Sequence, residues 1–238
     1  MQKIILFSLL VFMGFVSFSQ DHKAGDDKNA ETRDVKGFHA VEVSGGIDLY
    51  LNPGDETVAV SASDPAIRDH MRTEVVGGVL KIYLENTHGQ WNTGGRSMKA
   101  YVSFKQLDAI GASGGSDVYI DNVLKGDRLA VTLSGGGNLK GQVDLSDLAV
   151  RQSGGSNVKV TGTVGSLNVE TSGGGDFSGY NLVADIGHVG ASGGGNIHVT
   201  VNKELSVVAS GGSSIYYKGT CAVKAVSTSG GSGVYKKG

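Results

Sequence analysis

The chain has 238 residues, a formal net charge of -2, and 39 glycines against two prolines, a glycine share more than twice the usual ~7%. A nearly balanced charge supplies no basic stripe for nucleic acid, and glycine without a three-residue period or abundant proline excludes a collagen helix. The single cysteine, Cys221, has no internal disulfide partner and reads as a small core residue.

The opening stretch MQKIILFSLLVFMGFVSFSQ carries Lys3, an apolar run from Ile4 to Phe18, and small residues at Ser17 and Ser19. This is the layout of a secretory signal peptide over residues 1–19, and the run is short for a membrane span of about 20 residues. The expected location is therefore periplasmic, cell-surface or extracellular, with no transmembrane segment after cleavage. Residues 20–36 are polar, lack an apolar period and read as a flexible spacer. A single domain is expected over residues 37–238.

Ser44-Gly45-Gly46 opens that domain. LNPGDETVAV then predicts two strands around a turn at Pro53-Gly54. Asp64 as N-cap with Pro65 behind it predicts one short helix near residues 65–71. The alternation of Leu80, Ile82 and Leu84 predicts a strand, and NTHGQWNTGGRSM has no period and reads as an exposed loop. Sixty-nine residues separate Ser44 from Ser113, room for three to four irregular coils.

From there a motif repeats: Ser113-Gly114-Gly115, Ser134-Gly135-Gly136, Ser153-Gly154-Gly155, Ser172-Gly173-Gly174, Ser192-Gly193-Gly194, and again at Ser210 and Ser229, in steps of 21, 19, 19, 20, 18 and 19 residues. Self-similarity at such a period marks a solenoid. Three residues before each serine stand Ile110, Val131, Val150, Val169, Val189, Val207 and Val226. Five after stand Val118, Leu139, Val158, Phe177, Ile197, Ile215 and Val234. Leu107, Leu129, Leu148, Leu167, Ile186, Leu205 and Val223 lie between repeats. Three apolar columns at one period, with alternation inside each coil, predict an all-β parallel β-helix with coils about 4.8 Å apart. The glycines would supply positive φ at the bend. Asp117, Asn138, Asn157, Asp176 and Asn196, four after their serines, would be turn residues that tolerate left-handed backbone or bond their own backbone.

FHAVEVSGGIDLYLNPGDETVAVSA, then VGGVLKIYLEN and the serial Ser-Gly-Gly coils, resemble the bacterial exported family described as the putative auto-transporter adhesin head GIN domain. Gly46-Ile47-Asp48 stands where that family has its Gly-Ile-Asn signature, with Asp48 the one departure. The resemblance spans residues 37–238. It implies a single-stranded right-handed β-helix and a role in adhesion, and it brings no catalytic residues.

No catalytic constellation emerges from the residues themselves. Asp117 and Asp176 share a column but lie three coils apart, about 14 Å, too far for a glycosidase pair at about 5 to 9.5 Å. The six histidines have no ligand spacing, so neither a metal nor another cofactor is expected. SGGGDF is similar to a calcium-binding Gly-Gly-x-Gly-x-Asp repeat, but that repeat recurs about every nine residues. Two features suit binding of a glycan or protein partner. One is the loop with Trp91 and Arg96, where the alternative is an aromatic folded down as a cover. The other is the outward column six residues after each serine, with Tyr119, Lys140, Lys159, His198, Tyr216 and Tyr235, where the alternative is a plain solvated face. Self-association through uncovered coil ends is the competing structural reading, with Lys236 and Lys237 as charges that discourage it. A polysaccharide-active β-helix enzyme is a third.

Overall fold

A computed structural model describes residues 24–85 and 97–238. In chain order the strands are β1 (Glu31–Arg33), β2 (Ala40–Val43), β3 (Asp48–Pro53), β4 (Thr57–Ala62), β5 (Met71–Val76), β6 (Val79–Leu84), β7 (Met98–Phe104), β8 (Ala109–Ala112), β9 (Val118–Gly135), β10 (Asn138–Gly154), β11 (Asn157–Gly173), β12 (Phe177–Gly193), β13 (Asn196–Gly211), β14 (Ser214–Lys218), β15 (Ala222–Thr228) and β16 (Gly233–Lys236). One helix, α1 (Pro65–Asp69), forms where the sequence places it, and the Asp64 side chain caps it by accepting from the Ala66 N–H.

From β9 onward the chain is the expected parallel β-helix. β10 and β11 pair in register from Asn138↔Asn157 to Gly154↔Gly173, so equivalent side chains stack. Each coil has a wall after the glycine turn and a wall before it. Leu139, Val143, Leu145, Leu148 and Val150 of β10 all point into the core. Coils of unequal length stay aligned because the extra residues are absorbed in bulges at Lys159/Gly162 and Gly179/Val183, away from the turn.

The first two apolar columns are buried from Ile110 to Val207 and from Val118 to Ile215. The third needs a correction at Ile186, which is 36% exposed. Its neighbour Gly187 pairs with Leu167 and takes the inward place, where an added Cβ would lie 2.8 Å from Val201 Cγ2. Val223 and Val226 in the last coil are also exposed, because among the described residues no strand covers the outer edge of β15. Cys221 is buried, in keeping with a core residue, and burial pushes its thiol pKa up.

The first half is not a series of three to four coils. β2 and β3 stack directly on β8 and the start of β9, with Val41 beside Ile110 and Leu49 beside Val118. The residues between travel outward: β6 and β7 add one further layer in parallel, and β5 and β4 pair antiparallel to them. Reversed strands cannot continue a parallel coil, so this end is closed. The stretch expected as a free spacer contributes too, since β1 pairs antiparallel with β4 and Arg33 donates to the Arg68 carbonyl.

At the turns from Ser134 onward, the first glycine of the pair alone takes positive φ, whereas at Ser44 and Ser113 both do. Gly173 has φ +107, and a Cβ there would lie 2.5 Å from the Gly154 carbonyl oxygen. The second glycine, Gly174, lies outside the positive-φ set and has open space around it. The Asp/Asn column also differs from expectation: Asn122 is the one described non-glycine residue with positive φ. These side chains bond along the solenoid instead of to their own backbone.

Candidate recognition surface

The wall after the turn presents alternate side chains outward, and parallel register brings equivalent positions into one file. The file runs Tyr101, Tyr50, Tyr119, Lys140, Lys159, Ser178, His198, Tyr216 and Tyr235, each paired with the next across adjacent strands. Six of these, Tyr119, Lys140, Lys159, His198, Tyr216 and Tyr235, are the residues singled out from sequence. Tyr50 sits six residues after Ser44 and was legible by the same offset; Tyr101 follows no motif serine and is buried, so the accessible file begins at Tyr50. Trp91 and Arg96 lie outside the described residues.

Strand spacing makes neighbouring rings stack. Tyr50 lies 5.3 Å from Tyr101 and 5.1 Å from Tyr119, at interplanar angles of 18° and 14°. A second stack links His198 to Tyr216 at 5.0 Å and Tyr216 to Tyr235 at 5.3 Å. Tyr180 meets His198 edge-on. Lys218 Nζ lies 4.7 Å from the Tyr180 ring centre and Lys237 Nζ 4.9 Å from that of Tyr216, cation–π contacts. Tyr180, Lys218 and Lys237 were missed in sequence; each stands eight residues after its motif serine, two further along the same wall.

The two stacks differ in charge. Around the first, burial and then the Asp48 carboxylate, with Tyr119, Asp121 and Asp117 adding, push the Tyr50 hydroxyl up to about 12. Tyr101 is raised further by burial and by donating to Asp27 Oδ2 at 2.9 Å. Burial and Asp117 raise Tyr119 in the same direction. The second stack is lined by Lys218 and Lys237.

Beside the file runs a hydrogen-bonded ladder. Asn138 donates its N–H and Nδ2 to Asp117 Oδ1, both at 2.8 Å, and Asn157 Nδ2 donates to Asn138 Oδ1 at 3.0 Å. The Asp176 N–H donates to Asn157 Oδ1, and Asn196 donates N–H and Nδ2 to Asp176 Oδ1. At its start stands an acid pair that linear spacing concealed: because β3 lies against β9, Asp48 neighbours Asp117, and burial followed by that charge raises the Asp48 carboxyl pKa. Asp117 is engaged by Asn138 and by Tyr119, whose hydroxyl lies 3.5 Å from Oδ2. Among the described residues no group of three or more His, Cys, Asp or Glu is placed to hold a metal ion.

Residues 37–221 match the family described as putative auto-transporter adhesin, head GIN domain. The chain belongs to that family. Solved structures share the head GIN domain's fold: a putative adhesin from Bacteroides fragilis NCTC 9343 at 24% identity and TM-score 0.79, covering 89% of this chain and 98% of its own. A protein from Parabacteroides distasonis ATCC 8503 described as a putative lipid binding protein aligns at 21% identity and TM-score 0.68, covering 89% and 98%. A putative adhesin from Parabacteroides merdae ATCC 43184 aligns at 18% and 0.66, covering 88% and 95%. No curated protein matches the sequence. The expected family, and with it the β-helix, are thus borne out.

Proposed function

We propose that this head GIN domain is an exported, non-enzymatic recognition module that engages a glycan or protein surface through the outer file of its post-turn wall. The observation that carries this reading is the outer line from Tyr50 to Tyr235, in which stacked aromatic rings at either end flank the exposed Lys140 and Lys159. Stacked rings lose little side-chain freedom on binding, which favours many weak contacts acting together. Export through residues 1–19 accords with such a role, and among the described residues no helix is long and apolar enough to cross a membrane.

The test is binding of the purified protein to arrays of glycans and extracellular matrix proteins, with Tyr119→Ala, Tyr216→Ala and Trp91→Ala in parallel. Saturable binding weakened about ten-fold or more by either tyrosine change is expected. Binding that only Trp91→Ala abolishes would relocate the site to its loop, and an absence of saturable binding would overturn the reading. A second reading, self-association through the last coil, rests on the exposed Val223 and Val226 and on the single-sided pairing of β15 and β16 among the described residues.

A further inference from the structure

Elsewhere on the solenoid, charges on successive coils answer one another. Arg151 pairs with Glu170, Lys203 with Asp185 and Lys224 with Glu204. The post-turn wall breaks this rule. Lys140 and Lys159 stand directly opposite on adjacent strands, exposed, and neither forms an ion pair among the described residues. Lys218 and Lys237 repeat the arrangement on the last two coils: β14 pairs with β16 and the Lys237 N–H donates to the Tyr217 carbonyl, which makes the two lysines neighbours, and among the described residues neither has an acidic partner. Like charges directly opposite on a sheet are destabilising, so two lysine pairs on one face with no acidic partner among the described residues favour an external anion.

Resting on the recognition role proposed above, we propose that this face binds a linear acidic polysaccharide laid along the solenoid axis. From Lys140 to Lys237 there are five coil steps, about 24 Å at ~4.8 Å each, a span suited to a polymer rather than to one anionic group. Cation–π contacts hold Lys218 and Lys237 in place over Tyr180 and Tyr216. The acid flanking this run, Asp176, has Oδ1 taken up by two donors from Asn196. His198 and Tyr235 stack on the Tyr216 ring from either side, which leaves it no free face. That disfavours nucleic-acid bases, which need free faces for stacking. The file offers no apolar wedge for a membrane.

The experiment uses the whole protein and fluorescently labelled polygalacturonate and heparin, with fully methyl-esterified polygalacturonate as the neutral counterpart and phosphatidylglycerol vesicles as a non-polysaccharide anion. Expected is binding to at least one acidic polymer that weakens steeply as salt rises from about 50 to 500 mM. Each double change, Lys140→Gln with Lys159→Gln or Lys218→Gln with Lys237→Gln, should weaken it about ten-fold. Lys105→Gln, on a lysine paired with Asp55, should leave it unchanged, and unaltered circular dichroism checks folding. Equal binding of the methyl ester, preference for vesicles, insensitivity to both lysine pairs, or no binding to either acidic polymer each overturns the proposal. If neutral glycans or proteins on the arrays still bind, the recognition role survives without it; if nothing binds, both fall.

Discussion

Asp48 shows how one side chain registers the stacking of distant segments. Its carboxylate neighbours Asp117, which immediately precedes β9, and burial first, then that like charge, raise its pKa; Lys99 and the Asp117 N–H offset part of this. A carboxyl raised in the fold favours the native state while protonated, and that contribution is lost as pH climbs through the folded pKa. Asp48→Asn, which restores the family's Gly-Ile-Asn and supplies an amide donor like that of Asn138, is therefore expected to raise the Tm by a few degrees at pH 7. The gain should fade as pH falls below the ordinary aspartate range of about 4, and calorimetry at both pH values checks it. An equal gain in acid would refute the charge explanation. The sequence shows Asp48 as a departure from a signature, but gives no sign of Asp117 beside it, because 69 residues separate them.

At the scale of the coil, the Ser-Gly-Gly turns from Ser134 onward join two glycines with unequal duties. A side chain at Gly173 meets both a left-handed backbone and the Gly154 carbonyl oxygen, so Gly173→Ala is expected to cost roughly 2–4 kcal/mol. Gly174→Ala, in open space, should stay within about 1 kcal/mol of the parent. Urea unfolding of the pair measures the contrast, and similar losses would overturn it. Both glycines recur in every repeat, so spacing could not separate them; backbone geometry does. The apolar columns were legible because coils of nearly constant length repeat the same inward positions. Ile186 was misplaced because one extra residue between Ser178 and Leu182 of the same strand shifts the count by one, and Gly187 carries no side chain to announce itself.

For the molecule as a whole, the two ends are unlike. β5, β4, β1 and α1 close one, while β15 and β16 leave Val223, Val226 and Tyr235 exposed at the other. If the last coil mediates association, open end must meet open end, because reversed strands block head-to-tail stacking; the product is a closed dimer and not a filament. Sedimentation over a hundred-fold concentration range is expected to show monomer passing to dimer, with Val226→Lys shifting the midpoint upward about ten-fold. A strict monomer throughout, or a filament, would sink this reading. The closed end was the least legible part of the fold: its strands carry no repeat motif, and the order of layers there departs from the order of the chain.

The bulges that absorb uneven coil lengths have a further effect. Since they lie away from the turn, a whole coil is an interchangeable part, and the distance between the tyrosine stack near Asp48 and the one ending at Tyr235 is counted in integers of about 4.8 Å. Duplicating or deleting one coil would slide these two groups like marks on a vernier while leaving the chemistry of each intact. A partner with its own repeat would then match some coil numbers and miss others, so molecular length itself becomes a determinant of selectivity.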